Sequence, residues 1–398
     1  MALRDIDYTL LVVTLLLVAV GIFSIYTATT TSTLENIWKK QLLAAVIGII
    51  VVVAIMLIPM RLHFAFAYFY YPVMLLILML MMLRGDAIGR WIDLGPFQFQ
   101  PSEISKVVAV FVLARFLYDR KRDINSIWTI IGSGLIILIP FGLVMLQPDL
   151  GTAMVFSFIY VALLFRAGVK PLYIFILLSP FLSMICSVHW LLWAFFFVAF
   201  SVVLFLSEPG WKLFLFSVGM NLVVGLSTPL LWNQIHDYQK NRILVFLDQS
   251  RDPFGAGYQI NQSKIAIGSG GLWGQGFLQG TQTNLAFLPT RHSDFIFPVI
   301  AEQFGFVGSM IILILFGILL WRIVRVSMLA NNFFYQLTAF GIYAFLFFQV
   351  LINIGMTIGI TPITGLPLPF ISNGGTSLVV NLAAIGLVLN ILGDKQEY

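Results

Sequence analysis

Long apolar stretches dominate this sequence and decide what it can fold into. A helix needs about 20 mostly apolar residues to cross the hydrocarbon core of a bilayer. Twelve stretches of about this length are present, at residues 8–28, 38–59, 64–83, 102–118, 127–146, 150–165, 171–187, 189–207, 211–231, 297–321, 333–358 and 374–392. Only 10% of the residues are charged, whereas soluble domains carry about 25%. The sequence therefore predicts an all-α polytopic membrane protein with about twelve transmembrane helices, in one domain over residues 1–398.

The least clear part of this pattern is the apolar run at 171–207, which is interrupted only around Ser187–Trp190. It predicts either two short spans or one span with a re-entrant segment. Only two spans leave the later loops on the sides of the membrane that the distribution of Lys and Arg favours. The first apolar stretch runs to about residue 28 without a small-residue cleavage site, which favours a first span over a cleaved signal peptide.

The distribution of Lys and Arg predicts the orientation. With the N-terminus inside, the inner segments hold eleven of these residues, and the short outer segments hold four. The remaining five outer ones lie in one long loop, where charge has little influence on topology. We therefore expect both termini to be cytoplasmic.

The long outer loop at 232–296 is the largest feature outside the predicted spans. Loops of this length inside a compact domain are usually functional. It ends on the run Arg291–His292–Ser293–Asp294. An acid at this position can accept a proton from a hydroxyl group. It can equally cap the helix that follows, and the residues alone leave both interpretations open.

Two further groups of residues lie near the fourth predicted span. Glu103 and Lys106 are three residues apart, so they share a helix face and can neutralise each other. Ionisable residues within a span are costly, which favours a functional role for this pair. Trp91 lies in the preceding outer segment, and taken alone it is most readily a membrane-interface anchor.

Three more segments combine polar groups with turns. Asp149 lies in a tight outer turn and either caps the next helix or faces a central cavity, with capping slightly favoured. Arg242, at the start of the long loop, suits a diphosphate or a lipid headgroup. The proline- and glycine-rich run at 361–376 cannot be an ordinary helix and is expected to line a site, with Asn353 and Glu302 facing the same interior, although a plain outer loop also fits its composition.

Several classes of site are not expected. The run Gly268–Gly271 follows no strand and lacks the Lys–Ser/Thr ending of a phosphate-binding loop, so no nucleotide cofactor is predicted. Cys186 is the only cysteine, and no zinc-type cluster of Cys and His is present. The net charge of +5 is modest, and no nucleic-acid partner is expected.

Taken together, these segments resemble the SEDS family (shape, elongation, division and sporulation), and in particular its RodA-type elongation branch. Nine stretches follow the family's order along nearly the whole chain: Arg90–Gly95, Phe99–Lys106, Gln147–Thr152, His236–Gln239, Asp252–Tyr258, Gln262–Gly271, Leu288–Phe295, Asn353–Met356 and Gly365–Phe370. One such motif is weak evidence, but nine in order are specific. Members of the family usually show about ten spans, so the resemblance implies an extra helical pair within 171–231.

The resemblance implies a peptidoglycan glycosyltransferase of the bacterial cytoplasmic membrane. Such an enzyme polymerises lipid II, a disaccharide pentapeptide linked to undecaprenyl diphosphate, on the outer face. Asp294 matches the family's essential acid, Trp91 matches a Trp needed for activity, and Glu103 with Lys106 matches a supporting polar pair. The expected partners are a class B penicillin-binding protein and other membrane proteins of the elongation machinery.

The implied reaction is an inverting glycosyl transfer with Asp294 as the base. Arg242, Lys106 and Arg291, in falling order, are the candidate cations at the diphosphate, and Mg²⁺ or Mn²⁺ is a candidate cofactor. Trp91 is grouped with the substrate-binding residues, and Glu103, Asp149 and Asn353 support the site. The alternatives are a lipid II flippase, which also needs intramembrane charges, and a scaffold without catalytic activity.

Overall fold

The computed structural model describes most of the chain, and nearly all of the described part is helical. The described residues are 7–30, 36–83, 90–93, 98–208, 210–232, 240, 244–246, 248–253, 255–285, 287–288 and 290–393. The α-helices are α1 (Tyr8–Thr29), α2 (Ile37–Leu57), α3 (Met60–Leu83), α4 (Pro101–Asp119), α5 (Ile127–Leu146), α6 (Leu150–Ala167), α7 (Pro171–Cys186), α8 (Trp190–Leu206), α9 (Trp211–Trp232), α10 (Ala256–Ser269), α11 (Thr281–Asn284), α12 (Ile296–Leu329), α13 (Phe333–Ile358) and α14 (Gly375–Gly393).

The remaining regular structure is small. Two short antiparallel strands, β1 (Ile92–Asp93) and β2 (Gln98–Phe99), precede α4. Single 3₁₀ turns occur at Lys121–Asp123 and Gln249–Arg251. The predicted all-α class is confirmed, since the two strands contain only two residues each.

Each predicted apolar stretch coincides with a helix of the described chain. Nine of these helices are long and apolar enough to cross a membrane. The other three are α7 and α8, which have 16 and 17 residues, and α4, which carries four charged side chains. The chain is therefore a multi-pass membrane protein, and its exact number of spans stays a prediction.

Helices α7, α8 and α9 pack mainly against one another. A small apolar cluster around Ile176, Phe200 and Leu204 lies between them, separate from the main core of the bundle. Buried Asn221 on α9 joins two of these helices, because its amide donates to Ser179 Oγ on α7 at 2.8 Å. A distinct packing unit at this position agrees with an added helical pair in 171–231, although the addition itself stays a prediction.

Helix α12 is broken near its start, at Gly305. This residue has φ 66° and ψ −160°, so the backbone N–H groups that follow it lose their helical partners. Loop residues replace those partners: the N–H of Phe306 donates to the carbonyl of Gly271 at 2.9 Å, and that of Val307 donates to Leu272 at 3.2 Å. Non-helical backbone at membrane depth is tolerated only when its polar groups are satisfied in this way.

The inserted loop, residues 270–276, is here called the glycine segment. Its own N–H groups also pair with α12, since Gln275 donates to the carbonyl of Glu302 at 2.9 Å. Side chains would prevent this approach: a Cβ on Gly270 or Gly274 would collide with a carbonyl oxygen of α12. The glycines thus allow backbone to lie against backbone.

A second non-helical stretch, residues 361–374, connects α13 to α14 and is here called the proline segment. It is held by Gln41, a side chain of α2 that is 1% exposed. The amide of Gln41 donates to the carbonyl of Ser372 at 3.1 Å and accepts from the N–H of Gly374 at 3.2 Å. Gly21 on α1 allows close approach, because a Cβ there would lie 2.6 Å from the carbonyl oxygen of Phe370. Protein therefore packs against this run from α1 and α2, and its predicted role in lining a site stays a prediction.

We expect Gly274→Ala to destabilise the fold. The residue has φ 84°, a left-handed conformation that costs an L-residue about 1–2 kcal/mol, and the added methyl group would meet the carbonyl of Gln303. Gly317→Ala is the matched control, because Gly317 lies in the regular part of α12 with open space around it. The unfolding temperature in detergent should fall for Gly274→Ala only; equal behaviour of the two variants would contradict the packing described here.

Candidate active site

The turn that carries Asp294 is held through its backbone by the proline segment. The carbonyl of His292 accepts from the N–H of Asn373 at 2.9 Å. The carbonyl of Ser293 accepts from Ser372 Oγ at 2.6 Å. Two consecutive residues before Asp294 are thereby bonded to the same segment, which restricts the path of the chain at the acid.

Asn353 on α13 makes the third consecutive contact. Its side chain is 0% exposed, and its Nδ2 donates to the carbonyl of Asp294 at 3.0 Å and to that of Leu366 at 2.8 Å. The Asp294 carboxylate lies beside Gly365, where an added Cβ would be 3.6 Å from its Oδ2. The N-cap of α12 is Phe295 rather than Asp294. The arrangement thus places a half-buried carboxylate next to the proline segment, directly before the N-cap residue of α12.

Arg291 lies three residues before Asp294 but points into the protein. It is 6% exposed, with Nε donating to the carbonyl of Ala28 at 2.7 Å and Nη1 donating to that of Thr283 at 2.6 Å. Burial lowers the pKa of its guanidinium from the usual value. These contacts give Arg291 a structural role between α1 and the long loop, and its predicted role at the diphosphate stays a prediction.

Glu103 and Lys106 form a buried ion pair on α4. Lys106 Nζ lies 2.9 Å from Glu103 Oε2, and the two side chains are 0% and 2% exposed respectively. The ammonium group also lies 5.8 Å from the ring centroid of Phe345 on α13. Removing one member of such a pair leaves an uncompensated buried charge, so the pair is linked to the stability of the bundle as well as to any chemistry.

Asp149 caps α6, as the slightly favoured interpretation predicted. Its carboxylate accepts from the N–H of Thr152 at 3.1 Å and from Gln100 Nε2 at 3.2 Å. Gln100, directly before α4, also donates its N–H to Thr376 Oγ1 on α14 at 3.2 Å. Hydrogen bonds therefore join the first turns of α4, α6 and α14. Helix α6 also packs closely against the proline segment, because Gly151 has no side chain to separate it from the carbonyl of Thr364.

Trp91 lies at the edge of this assembly. It directly precedes β1 and is 40% exposed. Its neighbour Arg90 donates to the carbonyls of Gln147 and Pro148, which anchors the strand pair to the turn containing Asp149. An exposed ring beside the assembled helix starts suits either a membrane-interface anchor or a contact with substrate.

The structure does not test two predicted elements of the site, the segment around Arg242 and a divalent cation. Arg242 and the His236–Gln239 motif lie outside the described residues. Within the described part of the chain, no group of three or more His, Cys, Asp or Glu side chains is arranged to hold a metal ion. The roles of Arg242 and of a divalent cation stay predictions.

Comparison with known families identifies the chain. The family model FtsW/RodA/SpoVE, described as "Cell cycle protein", matches residues 7–196 and 192–397. The chain belongs to this family. The membership predicted from the nine ordered motifs is thereby confirmed.

Curated relatives agree over most of the sequence. The Escherichia coli K12 protein named "Peptidoglycan glycosyltransferase MrdB" is 41% identical over 306 residues, covering 76% of this chain and 70% of the relative. The Bacillus subtilis 168 "Stage V sporulation protein E" is 32% identical, covering 97% of this chain and 96% of the relative. "Peptidoglycan glycosyltransferase RodA" of Treponema pallidum is 30% identical, with 97% of each chain covered.

Solved structures show the same fold. A chain from a study of how a peptidoglycan synthase complex coordinates polymerization and crosslinking superposes with a TM-score of 0.73. It is 28% identical, and the match covers 99% of both chains. The rod shape determining protein RodA of Thermus thermophilus gives a TM-score of 0.65 at 27% identity, covering 99% of this chain and 98% of that one.

Some residues that organise the site were not identified from sequence. Ser372 and Thr376 were seen only as part of the run 361–376, and Gln41 was not considered. The available signal is chemical: Gln41 is a polar residue at the start of the long apolar run of α2, and a polar side chain buried there needs a partner. Glu302 was expected to face the same interior as Asn353, whereas its carboxylate bonds the long loop at residues 281–283.

We expect Asn353→Ala to reduce activity as well as stability. The substitution leaves two buried carbonyls without their donor, at a cost of about 1–3 kcal/mol each, and frees the backbone of Asp294. Asn390→Ala is the matched control, since Asn390 Nδ2 also donates to two carbonyls, those of Ile55 and Ile58, near the opposite end of α14. Both variants should lower the unfolding temperature, and only Asn353→Ala should lower the turnover of the folded enzyme. Equal turnover in the two variants would contradict the positioning role.

His292 makes the stability of the protein depend on pH. Burial, and then the charge of Arg291, lower the pKa of His292 below its usual value near 6.5. The folded protein therefore keeps this imidazole neutral at pH values where the unfolded chain already binds a proton, so this contribution to stability is lost as the pH falls below about 6.5. The unfolding temperature measured from pH 7.5 to 5.5 should fall less steeply for His292→Gln than for wild type; an unchanged slope would contradict this.

Proposed function

We propose that this protein is a peptidoglycan glycosyltransferase that polymerises lipid II on the outer face of the bacterial cytoplasmic membrane, with both termini cytoplasmic. The Escherichia coli and Treponema pallidum relatives are both named peptidoglycan glycosyltransferase, in agreement with the predicted enzyme class. The observation that carries the proposal is the fixed turn at Asp294, in which the backbone is bonded at three consecutive residues.

The proposed reaction is a single displacement. Asp294 accepts the proton from the C4 hydroxyl of the acceptor N-acetylglucosamine as that oxygen attacks C1 of the donor N-acetylmuramic acid. The bond between C1 and the diphosphate oxygen breaks, and undecaprenyl diphosphate leaves with the electron pair. A base held by its surrounding structure needs little rearrangement to reach this geometry, which is the physical advantage of the fixed turn.

The negative charge that develops on the leaving diphosphate needs cations. Lys106 is buried with Glu103, so its charge is already partly balanced, and it contributes mainly to the local field. Arg242 is proposed as the diphosphate ligand on its residue type and its place in the long loop. A divalent cation, Mg²⁺ or Mn²⁺, is proposed to supply further neutralisation, with the substrate diphosphate providing ligands.

The rival function is transport of lipid II across the bilayer by a flippase. The buried pair Glu103–Lys106 is the feature that favours it, since intramembrane charges also mark transport pathways. A flippase does not need an acid held beside the proline segment, whereas a glycosyltransferase does. Scaffolding alone explains neither feature.

A class B penicillin-binding protein is the proposed partner, together with other membrane proteins of the elongation machinery. The support is the structural match to a chain from a study of how a peptidoglycan synthase complex coordinates polymerization and crosslinking. Helices α7, α8 and α9 pack as a separate unit, so they form one candidate surface for such a partner.

We expect Asp294→Asn to abolish polymerisation by a folded protein. Loss of a general base typically costs about 10²–10⁴-fold in rate. The assay combines purified protein, lipid II and a divalent cation in detergent, with and without the partner transpeptidase, and separates the glycan products on a gel. Asp123→Asn is the control, because Asp123 lies exposed in the 3₁₀ turn after α4, at the far end of that helix from the site.

Two outcomes would contradict the proposal in different ways. Polymer formation by Asp294→Asn at the wild-type rate would show that another group is the base. Absence of polymer from wild type under every condition, with the partner included, would favour the flippase.

A further inference from the structure

Glu302 is a fully buried carboxylate that the proposed reaction does not use. It lies on α12, eight residues after Asp294 and three before the break at Gly305, and is 0% exposed. Burying an ionised carboxylate is costly unless hydrogen bonds replace its contacts with water. The identity of those bonds therefore indicates what the residue does.

Within the described residues, four hydrogen-bond donors reach this carboxylate, and all of them belong to one short stretch, residues 281–283. The N–H of Gln282 donates at 2.7 Å, the N–H of Thr283 at 3.1 Å and the hydroxyl of Thr283 at 2.6 Å. The hydroxyl of Thr281 adds a longer bond at 3.4 Å. A carboxylate can accept from every one of these donors. A glutamine amide at the same position has only one accepting oxygen, so its NH₂ group would face the remaining donors.

The chain is shaped to let this contact form. A Cβ on Gly280 would lie 2.6 Å from Glu302 Oε2, so only glycine fits beside the carboxylate. The backbone of Glu302 holds the same loop from a second position, because its carbonyl accepts from the N–H of Gln275. Gln275 in turn accepts through Oε1 from the N–H of Thr281 at 3.1 Å, which joins the two contacts.

The stretch held by Glu302 is bonded on its other side to the turn that carries the acid. The carbonyl of Thr283 accepts from Arg291 Nη1 at 2.6 Å, and Arg291 lies three residues before Asp294. Arg291 is also anchored to the carbonyl of Ala28 at the end of α1. A continuous path of short hydrogen bonds thus runs from Glu302 through Thr283 and Arg291 to the turn at Asp294.

We propose that Glu302 is a positioning residue that sets the location of Asp294 through Thr283 and Arg291. The inference rests on the proposed glycosyl transfer and deepens it. Glu302 does not touch substrate, since it is fully buried and both of its oxygens are engaged. Its effect is on the geometry of the base, so it acts on the chemical step rather than on the binding of lipid II.

The test compares variants of the full-length protein in the lipid II polymerisation assay. Glu302→Gln should lower kcat by about 10–100-fold, because a displacement of about 1 Å can cost that much, while KM for lipid II changes by less than about twofold. Glu208→Gln is the control, an exposed glutamate in the connection between α8 and α9, and should keep both constants.

A second pair of variants guards against misfolding of Glu302→Gln. Thr283→Val removes the hydroxyl bond to Glu302 but keeps the backbone contacts, whereas Thr283→Ser keeps the hydroxyl. We expect a reduced kcat for Thr283→Val and a rate near wild type for Thr283→Ser. Combining Thr283→Val with Arg291→Lys should cost less than the product of the separate effects, because both act on one path.

The outcomes separate this inference from the function on which it rests. A wild-type protein that forms no polymer overturns the proposed function and, with it, this role of Glu302. An active wild type with unchanged kcat in both Glu302→Gln and Thr283→Val overturns the positioning role alone. A rise in KM without a fall in kcat, or equal rates for Thr283→Val and Thr283→Ser, also overturns it.

Discussion

Backbone polar groups inside a membrane protein must find partners within the protein, and the site depends on how this chain meets that requirement. Two non-helical stretches among the described residues pack against the helices near Asp294. The glycine segment pairs with the backbone that is freed where α12 breaks at Gly305. The proline segment is satisfied by Gln41, Asn353 and Ser372. Because irregular backbone is allowed only under such conditions, the bonds that permit it also position the acid.

The carboxylates near the site differ in what they contact, and this assigns their roles. Glu103 is paired with Lys106, Asp149 caps α6, and Glu302 accepts donors from the long loop. Asp294 instead lies half-buried beside Gly365, with its backbone held by Asn353 and the proline segment. The proposed role of Asp294 as the base rests on this position beside the proline segment.

Sequence reasoning succeeded where the signal was local or ordered along the chain. Apolar length located the helices, and the order of nine motifs identified the family. It does not reveal bonds from a side chain to distant backbone carbonyls, such as those from Arg291 to Ala28 and Thr283. The break at Gly305 was also missed, because one glycine in an apolar run does not reveal that a loop will pair with it.

The chemical claim open to the most direct test is that Asp294 drives transfer in one displacement. The decisive measurement is the configuration at C1 of the transferred N-acetylmuramic acid, determined by NMR on the first product made from lipid II by the purified protein. A single displacement predicts that this configuration is inverted relative to the donor. Retention would exclude a single in-line displacement and would contradict the role given to Asp294.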